Sequence, residues 1–146
     1  MRELPRQLSA EELAELFEGR TRLVERLAEL EDPLDRAEDV LGSLPEEEQI
    51  EARHAHPAIG ARRLSERSAA EQGADSDPTI LSELAYLNQV YEEKFGFRFL
   101  VFVNRRPKAE VLGVLRERLA RTREEELEAG VRELVAIARD RWTRTT

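Results

Sequence analysis

Only two histidines occur in this 146-residue chain, and the second, His56, stands directly before Pro57. A residue preceding proline is pushed out of the α region, so a helix arriving there must stop. That leaves the imidazole at a helix exit instead of on a packed face. The stretch His56-Pro57-Ala58-Ile59-Gly60 is followed, one short loop and one helical turn later, by Ser68-Ala69-Ala70-Glu71-Gln72. An imidazole and a carboxylate brought together can move protons near neutral pH. His56 and Glu71 are therefore the candidate catalytic pair. Ser68-x-x-Glu71 also reads as a capping box, and both readings can hold at once, because a cap fixes where Glu71 and Gln72 point.

Other chemistry is easier to exclude. His54-x-His56 has no third ligand at a readable spacing, so no metal is expected. The chain has no cysteine, which removes disulfides, thiolate metal sites and cysteine nucleophiles. Net charge is −8, against a nucleic-acid partner. The basic residues gather late: residues 105–146 hold 11 Lys/Arg against 8 Asp/Glu. Most of these read as solvated helix faces. Arg141 differs, because it falls on the same helical stripe as Leu134 and Ala138. Either it snorkels past the end of its helix or it points inward to hold an anion.

The pattern positioning these residues is helical nearly throughout. Ser9-Ala10-Glu11-Glu12 and Thr122-Arg123-Glu124-Glu125 are capping boxes. Gly19 is expected to end the first helix. Asp32-Pro33 breaks the second, and a short segment follows near Val40, Leu41 and Leu44. Pro45 opens the helix that delivers His54 and His56. From Pro78, Ile80, Leu81, Leu84, Leu87, Tyr91 and Phe95 form one stripe ending at Gly96. Phe97–Val103 alone has β character, and one such run cannot make a sheet. It is expected to cross a helical core as an extended strap. Pro107 begins the next helix, and the last carries Leu127, Val131, Leu134 and Ala138 inward. The expected fold is all-α: a compact, bundle-like single domain over 1–146 with one strap near residues 97–103. No signal peptide and no apolar run of the ~20 residues a membrane helix needs is visible, so a cytoplasmic protein without membrane contact is expected.

With these elements in order, the chain resembles the OHCU decarboxylase family. The matching runs are Ala55-His56-Pro57-x-Ile59-Gly60, Ser68-x-x-Glu71-Gln72 and Leu87-Asn88-x-x-Tyr91-x-x-Lys94-Phe95-Gly96-Phe97-x-Phe99. Arg118-Leu119, Glu126-Leu127 and Ile137-Ala138-x-x-Arg141 follow. The resemblance implies decarboxylation of 2-oxo-4-hydroxy-4-carboxy-5-ureidoimidazoline to (S)-allantoin by a cofactor-free homodimer acting on this small molecule alone. His56 would match the catalytic histidine and Glu71 its partner acid. Pro57, Ser68, Gln72 and Arg141 would match substrate-contacting positions. Main-chain groups of Phe99, Leu100, Val101, Phe102 and Val103 would bind the ring. The chain departs from the pattern at Ala58, Arg98, Phe102 and Asn104, the last leaving Arg105 and Arg106 displaced beyond the strap. Two other readings stay open: a non-catalytic helical binding protein on the same fold, and a decarboxylase of a related ureido-heterocycle.

Overall fold

The structure is a computed structural model that describes residues 3–56 and 77–144. The expected all-α class holds: the described residues form seven helices and no strand. These are α1 (Ala10–Leu16), α2 (Arg22–Leu27), α3 (Pro33–Ser43), α4 (Glu46–His54), α5 (Pro78–Phe95), α6 (Lys108–Leu119) and α7 (Arg123–Arg144). None is long and apolar enough to cross a membrane.

The helices gather into two compact units. One comprises Met1–His56 and Glu128–Thr146, and the other Pro57–Leu127. In the first, α2 packs against α1, α3 and α4. Its core holds Leu13, Phe17, Leu23, Val24, Leu27, Leu34 and Ala37, with Leu134, Val135 and Ala138 from α7. Apolar burial at ~25 cal/mol per Å² is the main favourable term for such a cluster. In the second, α5 packs on α6. Its core is aromatic: Tyr91 lies 4.6 Å from Phe95 and 5.2 Å from Phe99, and Phe95 stacks on Phe97 at 6.0 Å. Such pairs add roughly 0.5–1.5 kcal/mol each beyond area burial.

Local signals set most of the boundaries. Ser9 and Glu12 satisfy each other's main-chain amides across the start of α1. Thr122 and Glu125 do the same before α7, and hydrogen bonding from the Thr122 amide, then from its side chain, holds the Glu125 carboxyl below the usual range. Asp32-Pro33 separates α2 from α3 with Pro33 at the helix start. Gly96 ends α5 in the left-handed region at φ 82°.

Three expectations change. The residue that turns left-handed after α1 is Glu18, at φ 65°, and not Gly19. The segment near Leu41 is a full helix of 11 residues, because Pro33 starts it seven residues before Val40. On α5, Leu84, Tyr91 and Phe95 are buried while Ile80, Leu81 and Leu87 are half-buried, so the inward face is narrower than the stripe.

Inside the first unit, Gly130 of α7 stands against the buried Arg53 of α4. A Cβ at Gly130 would collide with the Arg53 Nη1. Overpacking of this kind costs about 1–3 kcal/mol, more than the ~1 kcal/mol alanine gains over glycine in a helix. Gly130→Ala should therefore lower the midpoint of urea unfolding. An unchanged or higher midpoint would mean that Arg53 moves aside at no cost.

Candidate active site

His56 lies two residues beyond the end of α4, after Ala55, and its amide donates to the Arg53 carbonyl at 3.3 Å. The helix stops before Pro57 as the pre-proline restriction requires. The imidazole, however, is not at an open exit. His56 is only 4% exposed, whereas His54 is exposed. One imidazole is buried and the other stands in water, so the two histidines do not act as a pair. Among the described residues, no three His, Cys, Asp or Glu side chains cluster as metal ligands would.

Arg141 lies in the same unit, and it does not snorkel. Its side chain is 2% exposed. Its Nη1 donates to Glu18 Oε2 at 2.6 Å and to the Leu16 carbonyl at 3.3 Å. The guanidinium thus caps the last carbonyls of α1, which have no helical donor of their own. Glu18 follows from this arrangement. To present its carboxylate there it takes a left-handed backbone, a conformation that carries a cost of order 1–3 kcal/mol for a non-glycine residue. No sequence signal marks it, since its partner is 123 residues away.

These charges act on His56. Burial drives its pKa down to about 4, the Arg141 charge pushes the same way, and Glu18 opposes both. At neutral pH the imidazole of the ligand-free protein is therefore uncharged. In that form it carries a lone pair that can accept a proton. Arg139, two residues from Arg141, turns elsewhere and places Nε and Nη2 on the Leu34 carbonyl at 3.0 and 2.8 Å.

The strap, in the second unit, is extended and belongs to no sheet among the described residues. Phe99, Leu100, Val101 and Val103 are buried, and Phe102 is half-buried. Asn104 and Arg105 turn left-handed at φ 49° and 60°. That turn sends Arg106 back along the strap, where its side chain donates to the Phe102 and Val103 carbonyls at 2.6 and 3.0 Å. Arg118 takes the Leu100 carbonyl at 2.7 Å. Among the described residues, the amide and carbonyl of Val101 make no hydrogen bond. Pro57, Ser68, Glu71 and Gln72 lie outside the described residues. Of the expected site, then, the described residues bring His56 and Arg141 together with Glu18, and give the strap by itself.

A cysteine-free helical protein with a buried histidine governed by an arginine–glutamate pair is the class this defines. The OHCU decarboxylase family model matches residues 2–143, and the chain belongs to that family. It is 36% identical over 98 residues to the uric acid degradation bifunctional protein TTL of Arabidopsis thaliana, covering 60% of this chain and 30% of that protein. It is 30% identical over 98 residues to the 2-oxo-4-hydroxy-4-carboxy-5-ureidoimidazoline decarboxylase of Halalkalicoccus jeotgali, covering 64% and 56%. The chain thus matches less than two thirds of the length of these relatives. A crystal structure of an OHCU decarboxylase in the presence of (S)-allantoin superposes with a TM-score of 0.77 at 25% identity, covering 91% of this chain and 96% of that one. An (S)-allantoin synthase, at 20% identity and a TM-score of 0.70 over 92% of this chain and 48% of its own, shares the fold.

The buried imidazole makes a testable demand on stability. Below pH 6.5 the unfolded chain protonates His56, while the folded chain resists until about pH 4. The unfolded state then binds more protons, so stability at this position falls as pH drops through that window, by about 3 kcal/mol at the limit. His56→Asn lacks this loss. Urea unfolding at pH 7 and pH 4.5 should show the parent losing about 2 kcal/mol more than the variant. Equal losses would mean the imidazole is not held neutral.

Proposed function

We propose that residues 1–146 form a single catalytic domain that converts 2-oxo-4-hydroxy-4-carboxy-5-ureidoimidazoline to (S)-allantoin and CO₂ in urate breakdown, without a cofactor. The observation that carries this is the buried, neutral His56 beside Arg141 in a chain of this family. The carbon–carboxylate bond breaks and its electrons move into the adjoining C=N of the ring, which serves as its own electron sink. The ring hydroxyl then gives up its proton as a carbonyl forms, and the neighbouring carbon takes one up. The ring nitrogen that received the electrons takes up a further proton from solvent, so one proton is consumed for each CO₂ released. A neutral His56 accepts the hydroxyl proton and returns it to carbon on one face, with Glu71 orienting the imidazole.

Arg141 holds the ureido group. A clamp on the carboxylate would stabilise the charge that must leave, and so favour the ground state over the transition state. Its existing pairing with Glu18 fits this role, because the pair offers a departing carboxylate little net positive charge. Pro57, Ser68 and Gln72 line the substrate. The main chain of Phe99–Val103 holds the ring, with the peptide groups of Val101, which make no hydrogen bond among the described residues, as the natural partners. A cytoplasmic homodimer is the form this reading carries.

The test is formation of optically active allantoin from freshly oxidised urate, followed by circular dichroism. The parent should accelerate it strongly; no acceleration would return the chain to a binding role. His56→Asn and Glu71→Gln should each lose at least ~10²-fold in turnover, while the exposed His54→Asn keeps full activity. Full activity in Glu71→Gln would make that residue only a helix cap.

Arg141→Lys separates clamp from strut. Lysine keeps the charge but loses the planar fork. A fall in kcat/KM of at least ~10-fold, about 1.4 kcal/mol, is expected. Arg139→Lys should leave catalysis unchanged, since its bonds end on the Leu34 carbonyl. Equal effects in the two variants would remove Arg141 from the substrate.

A further inference from the structure

A second buried ion pair lies outside the chemistry assigned so far. Arg118 of α6 and Glu126 of α7 face each other at 2.8 Å, with side chains 5% and 0% exposed. The Tyr91 hydroxyl donates to the same Glu126 oxygen at 2.5 Å. Arg118 extends past this anchor. Its Nη1 donates to the Leu100 carbonyl at 2.7 Å, and its guanidinium lies 4.8 Å from the centre of the Phe99 ring. Phe99 is held from another direction by the edge of Tyr91 at 5.2 Å. Two consecutive strap residues, one by its ring and one by its carbonyl, are thus fixed by one guanidinium.

Burying an ion pair is a poor way to gain stability. Its desolvation cost often exceeds its attraction, and packed apolar side chains do as well or better. What the pair provides is direction. A strap with no sheet partner has no ladder to set its register, and sliding it by one residue would exchange its inward and outward side chains. Arg118 removes that freedom at Phe99 and Leu100. The next residue is Val101, whose buried amide and carbonyl make no hydrogen bond among the described residues. Buried peptide groups are nearly always satisfied, so such a pair marks a place kept for a ligand.

We infer that Arg118 is a positioning residue for the substrate ring: braced by Glu126 and Tyr91, it fixes the strap so that the Val101 peptide groups are presented to the ligand. The inference rests on the activity proposed above. Arg118 does not touch the substrate and moves no proton. Its loss should weaken ring binding in ground and transition states alike, which raises KM and leaves kcat nearly intact.

Arg118→Lys keeps the charge but cannot hold Glu126, the Leu100 carbonyl and the Phe99 face together. Tyr91→Phe is the milder change, removing only the hydroxyl that braces Glu126. Expected are a KM at least ~10-fold higher in Arg118→Lys and ~3-fold higher in Tyr91→Phe, with kcat within about twofold of the parent. Binding of (S)-allantoin by calorimetry should weaken in the same order. Leu41→Ala, which opens a cavity in the other unit's core, controls for lost stability and should keep the parental KM. If the parent turns the substrate over and Tyr91→Phe matches it in KM and in allantoin binding, the positioning role is wrong, whether or not Arg118→Lys folds. A fall in kcat at constant KM also overturns it. A parent without turnover removes the proposed activity itself, and this inference with it.

Discussion

A buried charge needs a partner, and two of the buried arginines of this chain, Arg118 and Arg141, show how that constraint is resolved. Arg141 joins Glu18 and the free carbonyl end of α1. Arg118 joins Glu126, Tyr91 and the Leu100 carbonyl. In both cases the guanidinium bonds to a carboxylate and to a main-chain carbonyl that regular secondary structure leaves without a donor. A planar fork with several donors in fixed directions can do both at once, and a lysine cannot. The loop after α1 and the strap after α5 take their course from these two side chains. The strap is also where peptide groups are not consumed by a helix.

The parts of the structure legible in the sequence are those decided within a few residues. Ser9 with Glu12, Thr122 with Glu125, Pro33, Gly96 and the pre-proline position of His56 each act through their own turn, and each boundary falls where its local chemistry puts it. The strap was legible for a related reason: one apolar β-like run among helices has nothing to pair with. Its hold on the core was not legible, because Arg118 and Glu126 lie on different helices from it. Leu87 and Ile80 show the limit of periodicity. Spacing puts them on a stripe, and only packing decides how much of the stripe is covered.

The site was legible as a set of residue types and not as an electrostatic state. His56 before Pro57 gave its place in the chain. It gave no sign that the fold would bury the ring and set it near a guanidinium. Sequence reading left the protonation state of the imidazole open, and the structure makes it neutral. Glu18 was missed for the opposite reason. It sits in an unremarkable acidic helix end, and its importance comes entirely from an arginine at the far end of the chain.

The neutral imidazole and the paired arginine suit the same requirement. Carboxylate loss is favoured where the carboxylate is poorly solvated and is not held by a free cation. A charged histidine beside an unpaired arginine would create the reverse: strong positive potential that binds the substrate anion tightly and resists loss of CO₂. Burial suppresses the first charge, and Glu18 compensates the second. Arg141 also opposes protonation of His56, which keeps the imidazole in the neutral form that the proposed proton transfer starts from. The side chain that depresses the histidine and the side chain that neutralises that arginine thus form one device.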